Sequence, residues 1–174
     1  RKCNTTTTRW QCWNYGISIM RQELIDQLQE ELKEDEGCKY EVYLDHLGLP
    51  TFGIGHLVTE WDEEYEKEVG TEVSEERVNN CFQVDIWGTV NDCKVLYSNF
   101  DDLPDEVQLI LANMMFNMGR PRLSKFKKMH GAIKESDWLE ASLQMEDSKW
   151  YNQVPNRAER LVGRMAQQQT FPHG

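Results

Sequence analysis

Long apolar runs are missing from this sequence of 174 residues. No stretch approaches the roughly 18 consecutive apolar residues that suggest a membrane-spanning helix, so no membrane partner is expected. Positive charge is also scarce, because 19 lysines and arginines stand against 30 aspartates and glutamates and leave a net charge of −11. A chain with that charge repels nucleic-acid phosphates, so nucleic acid is not an expected partner either.

A metal-binding pattern is missing as well. The five cysteines form neither a C-x-x-C pair nor a Cys/His zinc spacing, so we expect no metal and no cofactor. Cys81 and Cys93 fall on one predicted helix, where the residues between them span about 18 Å, too far for a disulfide bond. We interpret both as buried, small apolar side chains.

The other three cysteines lie nearer the N-terminus. Cys3 and Cys12 could close a short loop, or either could reach Cys38, and an odd cysteine would remain. Residues 4–6 read NTT, a glycosylation sequon that matters in a secreted protein. Together these features predict a secreted or extracellular protein with a disulfide bond.

The first third of the chain contains an extension, a helix and two predicted strands. Residues 1–17 have no helical period and are interpreted as an N-terminal extension, with 18–174 as a single domain. A stripe of Met20, Leu24, Leu28 and Leu32 predicts a helix with Ser18 as its N-cap and Gly37 just beyond its end. "YEVYLD" predicts a strand, "HLGLP" a turn and "TFGIGHLV" a second strand.

Helical periods dominate the rest of the sequence. Ser74 is the predicted start of a long helix that ends near Tyr97, and "PDEVQLILANMMFNMG" is apolar on nearly all sides, as a buried helix is. A short helix is predicted around Phe126, another is capped by Ser136, and a final one begins near Pro155. The expected fold class is therefore α+β, in a monomer with a β-bearing lobe at about 34–76, a connecting helix at about 75–97 and a helical lobe at about 98–174.

A pair of carboxylates marks the candidate catalytic region. Glu36 is predicted at a helix C-terminus, where the partial negative charge disfavours an anion and favours the protonated form that a general acid needs. Asp45 lies across a sharp reversal from it, and two carboxylates in different environments are the usual apparatus for cleaving a glycosidic bond. The hydroxyl of Thr51, on the returning strand, could hold a water molecule. His56 could be a base or a metal ligand, but such a histidine is more often the structural partner of a carboxylate.

Three segments resemble the phage-type lysozymes. They are "DEGCKYEVYLDHLGLPTFGIGHLVT", "MMFNMG" at 114–119 and "SKWYNQVPNRAER" at 148–160, in the family's order and with little change in spacing. The resemblance covers roughly residues 30–165. It implies a lysozyme-like, two-lobed fold and an inverting muramidase that hydrolyses the β-1,4 bond between N-acetylmuramic acid and N-acetylglucosamine in bacterial peptidoglycan.

The resemblance also implies a role for individual residues. Glu36 matches the general acid, Asp45 the carboxylate that supports the attacking water, and Thr51 the hydroxyl that positions it. Arg157 matches an arginine near the catalytic glutamate, whose charge opposes the helix-end effect, and the sequence leaves that balance open. The remaining matches are a structural ion pair, His56 with Asp85; a core aromatic, Trp150; and residues of the saccharide cleft, Leu57 and Phe116 with Asn117 beside them.

Two departures from the family keep alternatives open. Met129 and Gln144 stand at saccharide-contacting positions where the family commonly has Ser and Asn. The net charge of −11 removes or reverses electrostatic steering to an anionic wall, although the basic segment "RPRLSKFKK" at 120–128 could offset this locally. The alternatives are a glycan-binding protein with little hydrolytic activity and a related glycosidase that acts on chitin.

Overall fold

The computed structural model describes residues 20–169. The predicted extension at 1–17, with Cys3, Cys12 and the sequon, therefore lies outside the described residues, and the predicted domain bounds stay a prediction. Within 20–169, no helix combines the length and the apolar character that crossing a membrane would require.

The first helix, α1, spans Gln22–Glu36 and ends at the glutamate that the sequence singled out. Leu24, Leu28 and Leu32 form its buried stripe, as predicted. Gly37 ends the helix with φ 70°, a left-handed conformation that glycine adopts without strain, and its N–H donates to the Lys33 carbonyl oxygen. The predicted N-cap at Ser18 is wrong, because the helix begins at Gln22.

A small antiparallel sheet follows, with strands β1 (Lys39–Leu44), β2 (Pro50–Gly53) and β3 (His56–Leu57) in that spatial order. Tyr43 pairs with Thr51 across β1 and β2, and Thr51 pairs with Leu57 across β2 and β3. The prediction of one strand over "TFGIGHLV" is wrong. Gly53 and Gly55 have φ values of 62° and 69°, and these left-handed residues reverse the chain into a tight hairpin.

The long helix α2 spans Glu75–Leu96 and confirms the predicted connecting element. Ser74 is its N-cap, and the serine hydroxyl oxygen accepts the N–H of Arg77 at 3.2 Å. Cys81 and Cys93 lie on the buried face of α2 and carry free thiols, as predicted for small apolar side chains. Cys38 is also a free thiol and is exposed, so the predicted option of a disulfide to Cys38 is wrong.

The remaining described elements are helical and confirm the α+β class. Asp137 caps α6 (Trp138–Glu146), since its Oδ1 accepts the N–H of Glu140 at 3.0 Å, so the predicted cap at Ser136 is one residue early. The short helices α4 (Arg120–Leu123) and α7 (Lys149–Gln153) were not predicted. The elements are a 3-10 helix (Phe100–Asp102), α3 (Asp105–Met118), α4 (Arg120–Leu123), α5 (Lys127–Lys134), α6 (Trp138–Glu146), α7 (Lys149–Gln153) and α8 (Pro155–Gln167).

Helix α3 lies at the centre of the helical part, and ten of its residues are buried. It packs against α1, α2 and α8, which explains why its sequence is apolar on nearly all sides. One continuous apolar cluster runs from α1 and the sheet through α2 and α3 to α8. The C-terminal end of α1, the sheet and the first turn of α8 thereby converge on one region.

Candidate active site

Glu36 presents its carboxyl group between a helix and the sheet. Arg157, in the first turn of α8, donates from Nη1 to Glu36 Oε1 at 2.6 Å. The guanidinium is buried, with 7% of the residue exposed, whereas about a fifth of the Glu36 side chain is exposed at 22%. The arginine therefore fixes the inner side of the carboxyl group and leaves it reachable from solvent.

A buried network holds Arg157 in place. Its Nε donates to Asn113 Oδ1 at 2.7 Å, and Nη2 donates to the Asn113 carbonyl oxygen at 3.3 Å. Asn113 is completely buried and donates from Nδ2 to Asp35 Oδ2 at 2.9 Å. Arg160 donates to both oxygens of Asp35 at 2.7 and 2.8 Å. The network joins α1, α3 and α8 directly behind Glu36.

The β2–β3 hairpin closes against the other side of Glu36. A Cβ atom at Gly55 would lie 3.3 Å from Glu36 Oε2, closer than an ordinary van der Waals contact. At Gly53 it would lie 2.8 Å from a Val78 methyl group, so the hairpin is also packed tightly on α2. Both glycines are required by space as well as by φ.

Asp45 lies just beyond β1, in the loop that leads to β2. Its Oδ1 accepts two backbone N–H groups, from Leu47 at 2.8 Å and Leu49 at 2.9 Å. The hydrogen bond from Leu49 lowers the pKa of Asp45 below its ordinary value, and the hydrogen bond from Leu47 adds a smaller effect in the same direction. Asp45 is therefore an anion at neutral pH, and the N–H groups of Leu47 and Leu49 both contact Oδ1 rather than Oδ2.

Tyr43 links the two carboxylates to Thr51. Burial, and then the negative charges of Glu36 and Asp45, raise the pKa of the Tyr43 phenol, so this side chain lies near both acids. Asp45 follows Tyr43 by two residues, just past the end of β1. Thr51 is the cross-strand partner of Tyr43, so these two side chains lie on the same face of the sheet. The Thr51 hydroxyl donates to the Leu49 carbonyl oxygen at 3.0 Å, so its oxygen is left as an acceptor for water.

Carboxylates lie within hydrogen-bonding distance of both ring nitrogens of His56. Its Nδ1 lies 2.7 Å from Asp85 on α2, and its Nε2 lies 3.2 Å from Asp62. Burial alone would lower the pKa of His56, but the hydrogen bonds and charges of Asp85 and Asp62 outweigh it and raise the pKa above its ordinary value. The ring is thus engaged away from the Glu36 carboxyl group.

Cys81 completes a cluster with these groups, since one ligand atom each of His56, Asp62 and Cys81 lies within 4.8 Å of the others. Arg77 donates to Asp62 at 2.9 Å and supplies positive charge there. Burial raises the pKa of the Cys81 thiol to about 11, so it is protonated at neutral pH. The cluster is a hydrogen-bonded link between the sheet and α2.

The predicted saccharide-contacting residues fall into two places. Leu57 is 46% exposed on β3, next to Thr51. Phe116 is partly buried against the edge of Phe82, and Asn117 accepts the indole N–H of Trp150 at 2.8 Å. Trp150 itself is buried, and with Met129 and Gln144 it lines a cavity of about 510 Å³ in the helical part.

Sequence reasoning missed Tyr43, Asn113, Asp35 and Arg160. Two of them left a signal. Tyr43 stands two residues before Asp45 in the predicted strand "YEVYLD", where alternation would put both on one face. Asn113 is an amide within an otherwise apolar helix, and a buried amide must have hydrogen-bond partners. Asp35 and Arg160 gave no comparable signal, because their pairing spans most of the chain.

The arrangement suits acid-assisted hydrolysis of a glycosidic bond. One carboxyl group sits at a helix end beside a guanidinium, and an anionic carboxylate with a water-accepting hydroxyl lies on the facing sheet. A short antiparallel sheet joined by a long helix to a helical part, with this pair of acids between them, defines a lysozyme-type glycoside hydrolase.

Comparison with known proteins gives the family. The sequence model of the phage lysozyme family matches residues 33–168, most of the chain, and the chain belongs to that family. It is similar to probable T4-type lysozyme 2 of Dictyostelium discoideum, with 32% identity over 158 residues that cover 80% of this chain and 93% of that protein.

Two phage proteins are also similar over part of their length. The pre-baseplate central spike protein Gp5 of Enterobacteria phage T4 is 32% identical over 154 residues, which cover 78% of this chain and 27% of that protein. The peptidoglycan hydrolase gp36 of Pseudomonas phage phiKMV is 30% identical over 151 residues, which cover 87% of this chain and 16% of that protein.

Proposed function

We propose that the protein is an inverting muramidase that hydrolyses the β-1,4 bond between N-acetylmuramic acid and N-acetylglucosamine in bacterial peptidoglycan. The named activity of relatives supports this substrate, since they include probable lysozymes and a peptidoglycan hydrolase. One observation carries the proposal. Glu36 at the end of α1 and Asp45 after β1 both lie near Tyr43, and Thr51 on β2 is the cross-strand partner of Tyr43.

Glu36 is the proposed general acid. When substrate is bound, the protonated carboxyl group gives its proton to the oxygen of the glycosidic bond as that bond breaks. Arg157 on one oxygen and Gly55 beside the other leave the carboxyl group little freedom to rotate. This fixed orientation aims the proton at one place, as efficient general acid catalysis requires.

Asp45 and Thr51 act on the attacking water in this proposal. Thr51 accepts one hydrogen bond from the water, because its own proton is committed to Leu49. Oδ2 of Asp45, the oxygen that Leu47 and Leu49 do not contact, accepts a second hydrogen bond and supports the positive charge that develops at the anomeric carbon. The water forms its bond to that carbon from the face opposite the leaving oxygen, its proton leaves toward Asp45, and the configuration inverts.

Replacement of the acid tests the proposal. Glu36→Gln preserves the shape of the side chain but removes the transferable proton, so hydrolysis of purified peptidoglycan should fall by about 100-fold or more. Glu34→Gln, an exposed change of the same kind two residues earlier on α1, is the matched control and should keep full activity. Near-full activity of Glu36→Gln would refute the assignment.

Substrate choice needs its own assay. The exposed Leu57 and the changes to Met129 and Gln144 alter the surroundings in which saccharides are recognised, and a chitin-acting glycosidase or a weakly hydrolysing glycan-binding protein would share the same carboxylates. Product analysis on peptidoglycan and on chitin oligomers separates these cases. We expect cleavage of peptidoglycan in preference; oligosaccharide binding without any cleavage would favour the binding protein.

We also propose that the protein acts outside the cell as a monomer. Because Cys38, Cys81 and Cys93 are free thiols, at most Cys3 and Cys12 can pair within one chain. A thiol count on the denatured, unreduced protein tests the compartment: three free thiols support an oxidising environment, whereas five remove that support. Sedimentation at several concentrations tests the monomer.

A further inference from the structure

A cavity of about 510 Å³ opens among the last turn of α3, the α4–α5 segment and the α6–α7 segment. We call it the basic pocket. Its apolar residues are Met118, Phe126, Met129 and Trp150, of which three are buried and Phe126 is partly exposed. Five cationic side chains also line it: Arg122, Lys125, Lys127, Lys128 and Lys149.

These cations lack carboxylate partners. Elsewhere in residues 20–169, eight arginines and lysines form ion pairs with Asp or Glu. Those that form none are the five cations of the basic pocket and only three others: Lys39, Lys67 and Lys134. Among residues 20–169, most of the positive charge that no carboxylate pairs is therefore concentrated in one cavity, in a chain with 30 acidic residues.

Little negative charge nearby offsets the five cations of the basic pocket. Asp147 is the one carboxylate among the residues that line the basic pocket. Helix α5 begins at Lys127 with no side-chain cap on its N-terminus, so the partial positive charge of its first turn adds to that of the lysines.

We propose that the basic pocket binds the phosphate groups of phosphodiester-linked polyol polymers in bacterial cell walls, and so recruits an enzyme whose net charge would otherwise repel it. The inference rests on the proposed function in that it takes the wall as the substrate. Lysines act as point charges toward phosphate, and four of the five cations are lysines. The single arginine, Arg122, already donates from Nη2 to Gln153 at 2.6 Å, so the planar fork that suits a carboxylate is partly occupied.

The number of cations also favours a repeated anion. One carboxylate would neutralise a fifth of the charge, whereas successive phosphates along a flexible chain can meet several lysines. A duplex nucleic acid offers repeated phosphates too, but its long, dense charge would face the acidic remainder of the surface.

A paired substitution tests the basic pocket by calorimetric binding of purified poly(glycerol phosphate). Lys127→Gln combined with Lys128→Gln should raise Kd on the order of 25-fold, since each lysine near an anionic surface contributes on the order of a fivefold gain in affinity. The matched control combines Lys67→Gln with Lys134→Gln, which remove the same charge from exposed sites outside the pocket, and should leave Kd within about twofold.

Hydrolysis of two wall preparations gives the second readout. Wild-type enzyme should cleave walls that carry the polymer several-fold faster than walls stripped of it, and the pocket variant should lose this preference while the control variant keeps it. Equal loss of rate on both preparations would mean that the lysines serve the peptidoglycan itself and would overturn the proposal. So would equally tight binding of a DNA oligomer of the same charge.

The two proposals can fail separately. If no preparation is hydrolysed by wild-type enzyme, the proposed function fails, and the binding measurement still decides the basic pocket. If both preparations are hydrolysed at the same rate and the purified polymer does not bind, the proposed function stands and the basic pocket is not a phosphate site.

Discussion

Gly55 must be a glycine because it lies directly against the carboxyl group of Glu36. Gly55→Ala places a methyl group against Glu36 Oε2 and requires alanine at φ 69°. The strain should lower the free energy of unfolding by about 1–2 kcal/mol. We expect kcat to fall roughly 10- to 100-fold in addition, because the catalytic carboxyl group must move.

Gly70→Ala is the control for that substitution. Gly70 has φ 91°, but a Cβ atom there would meet nothing within 4 Å. It should therefore cost a similar stability, measured by urea unfolding, and leave kcat unchanged. Equal kcat for the two variants would show that the close approach of Gly55 to Glu36 has no catalytic consequence.

Two histidines should titrate on opposite sides of the ordinary value of 6.5. Asp85 and Asp62 raise the pKa of His56 in spite of its burial. Burial lowers the pKa of His130, whose ring accepts the Tyr97 hydroxyl at 2.7 Å and donates to the Leu123 carbonyl oxygen at 2.9 Å. Histidine titration by NMR measures both, with His56→Gln and His130→Gln to assign the signals. Coincident titration near 6.5 would contradict the geometry.

The same shifts predict opposite effects of pH on stability. The raised pKa of His56 gives a stabilisation that is complete below about pH 6.5 and is lost as pH rises through the folded-state pKa. The lowered pKa of His130 gives a stabilisation that is complete above about pH 6.5 and is lost as pH falls through the folded-state pKa. His56→Gln should therefore destabilise more at pH 5.5 than at pH 8, and His130→Gln the reverse.

At the scale of elements, Asn113 joins three helices behind the catalytic acid. Asn113→Ala removes the buried acceptor of Arg157 Nε and one of the donors to Asp35, and should lower the free energy of unfolding by about 3 kcal/mol. Because Arg157 then loses its support, kcat should fall about tenfold or more with a smaller change in KM.

A second buried amide on the same helix separates stability from positioning. Gln108 is 5% exposed and donates to the Leu103 carbonyl oxygen at 2.8 Å, away from Glu36. Gln108→Ala should be destabilising, by about 1–2 kcal/mol, without a loss of kcat. If Asn113→Ala were destabilised but fully active, the network would be a structural feature only.

Periodicity predicted the long elements well and the short ones poorly. Helix α2 has a buried stripe, α3 is buried on nearly all sides, and both have clear ends, so the sequence located both. The β2–β3 hairpin was missed because Thr51–Val58 reads as one β-rich run, and only the left-handed φ of Gly53 and Gly55 turns it back. Helix α7 has five residues, too few to show a helical period.

The candidate site divides in the same way. Glu36 could be placed at a helix end because Gly37 follows a periodic stripe. The network behind it could not be predicted from local pattern, because Arg157 meets Glu36 across 121 residues of sequence and meets Asn113 across 44. Such contacts depend on how whole helices pack, and only the packed structure shows which polar groups they bring together.

At the scale of the molecule, the net charge of −11 should slow encounters with an anionic wall. Hydrolysis of peptidoglycan stripped of phosphate polymer should therefore quicken several-fold as ionic strength rises from about 0.01 to 0.1 M, where the screening length falls from about 30 to 10 Å. An uncharged soluble oligosaccharide is the control and should show little salt dependence. A rate on stripped walls that falls with salt over this range would contradict long-range repulsion.

The stereochemistry of the first product tests the central claim most directly. Proton NMR of a soluble peptidoglycan fragment, recorded during the first turnovers before the new reducing end mutarotates, identifies the anomer released. Attack by a water held between Asp45 and Thr51, opposite a leaving group protonated by Glu36, predicts the α-anomer from the β-1,4 bond. Release of the β-anomer would mean that the enzyme retains configuration and would contradict the roles assigned to Asp45 and Thr51.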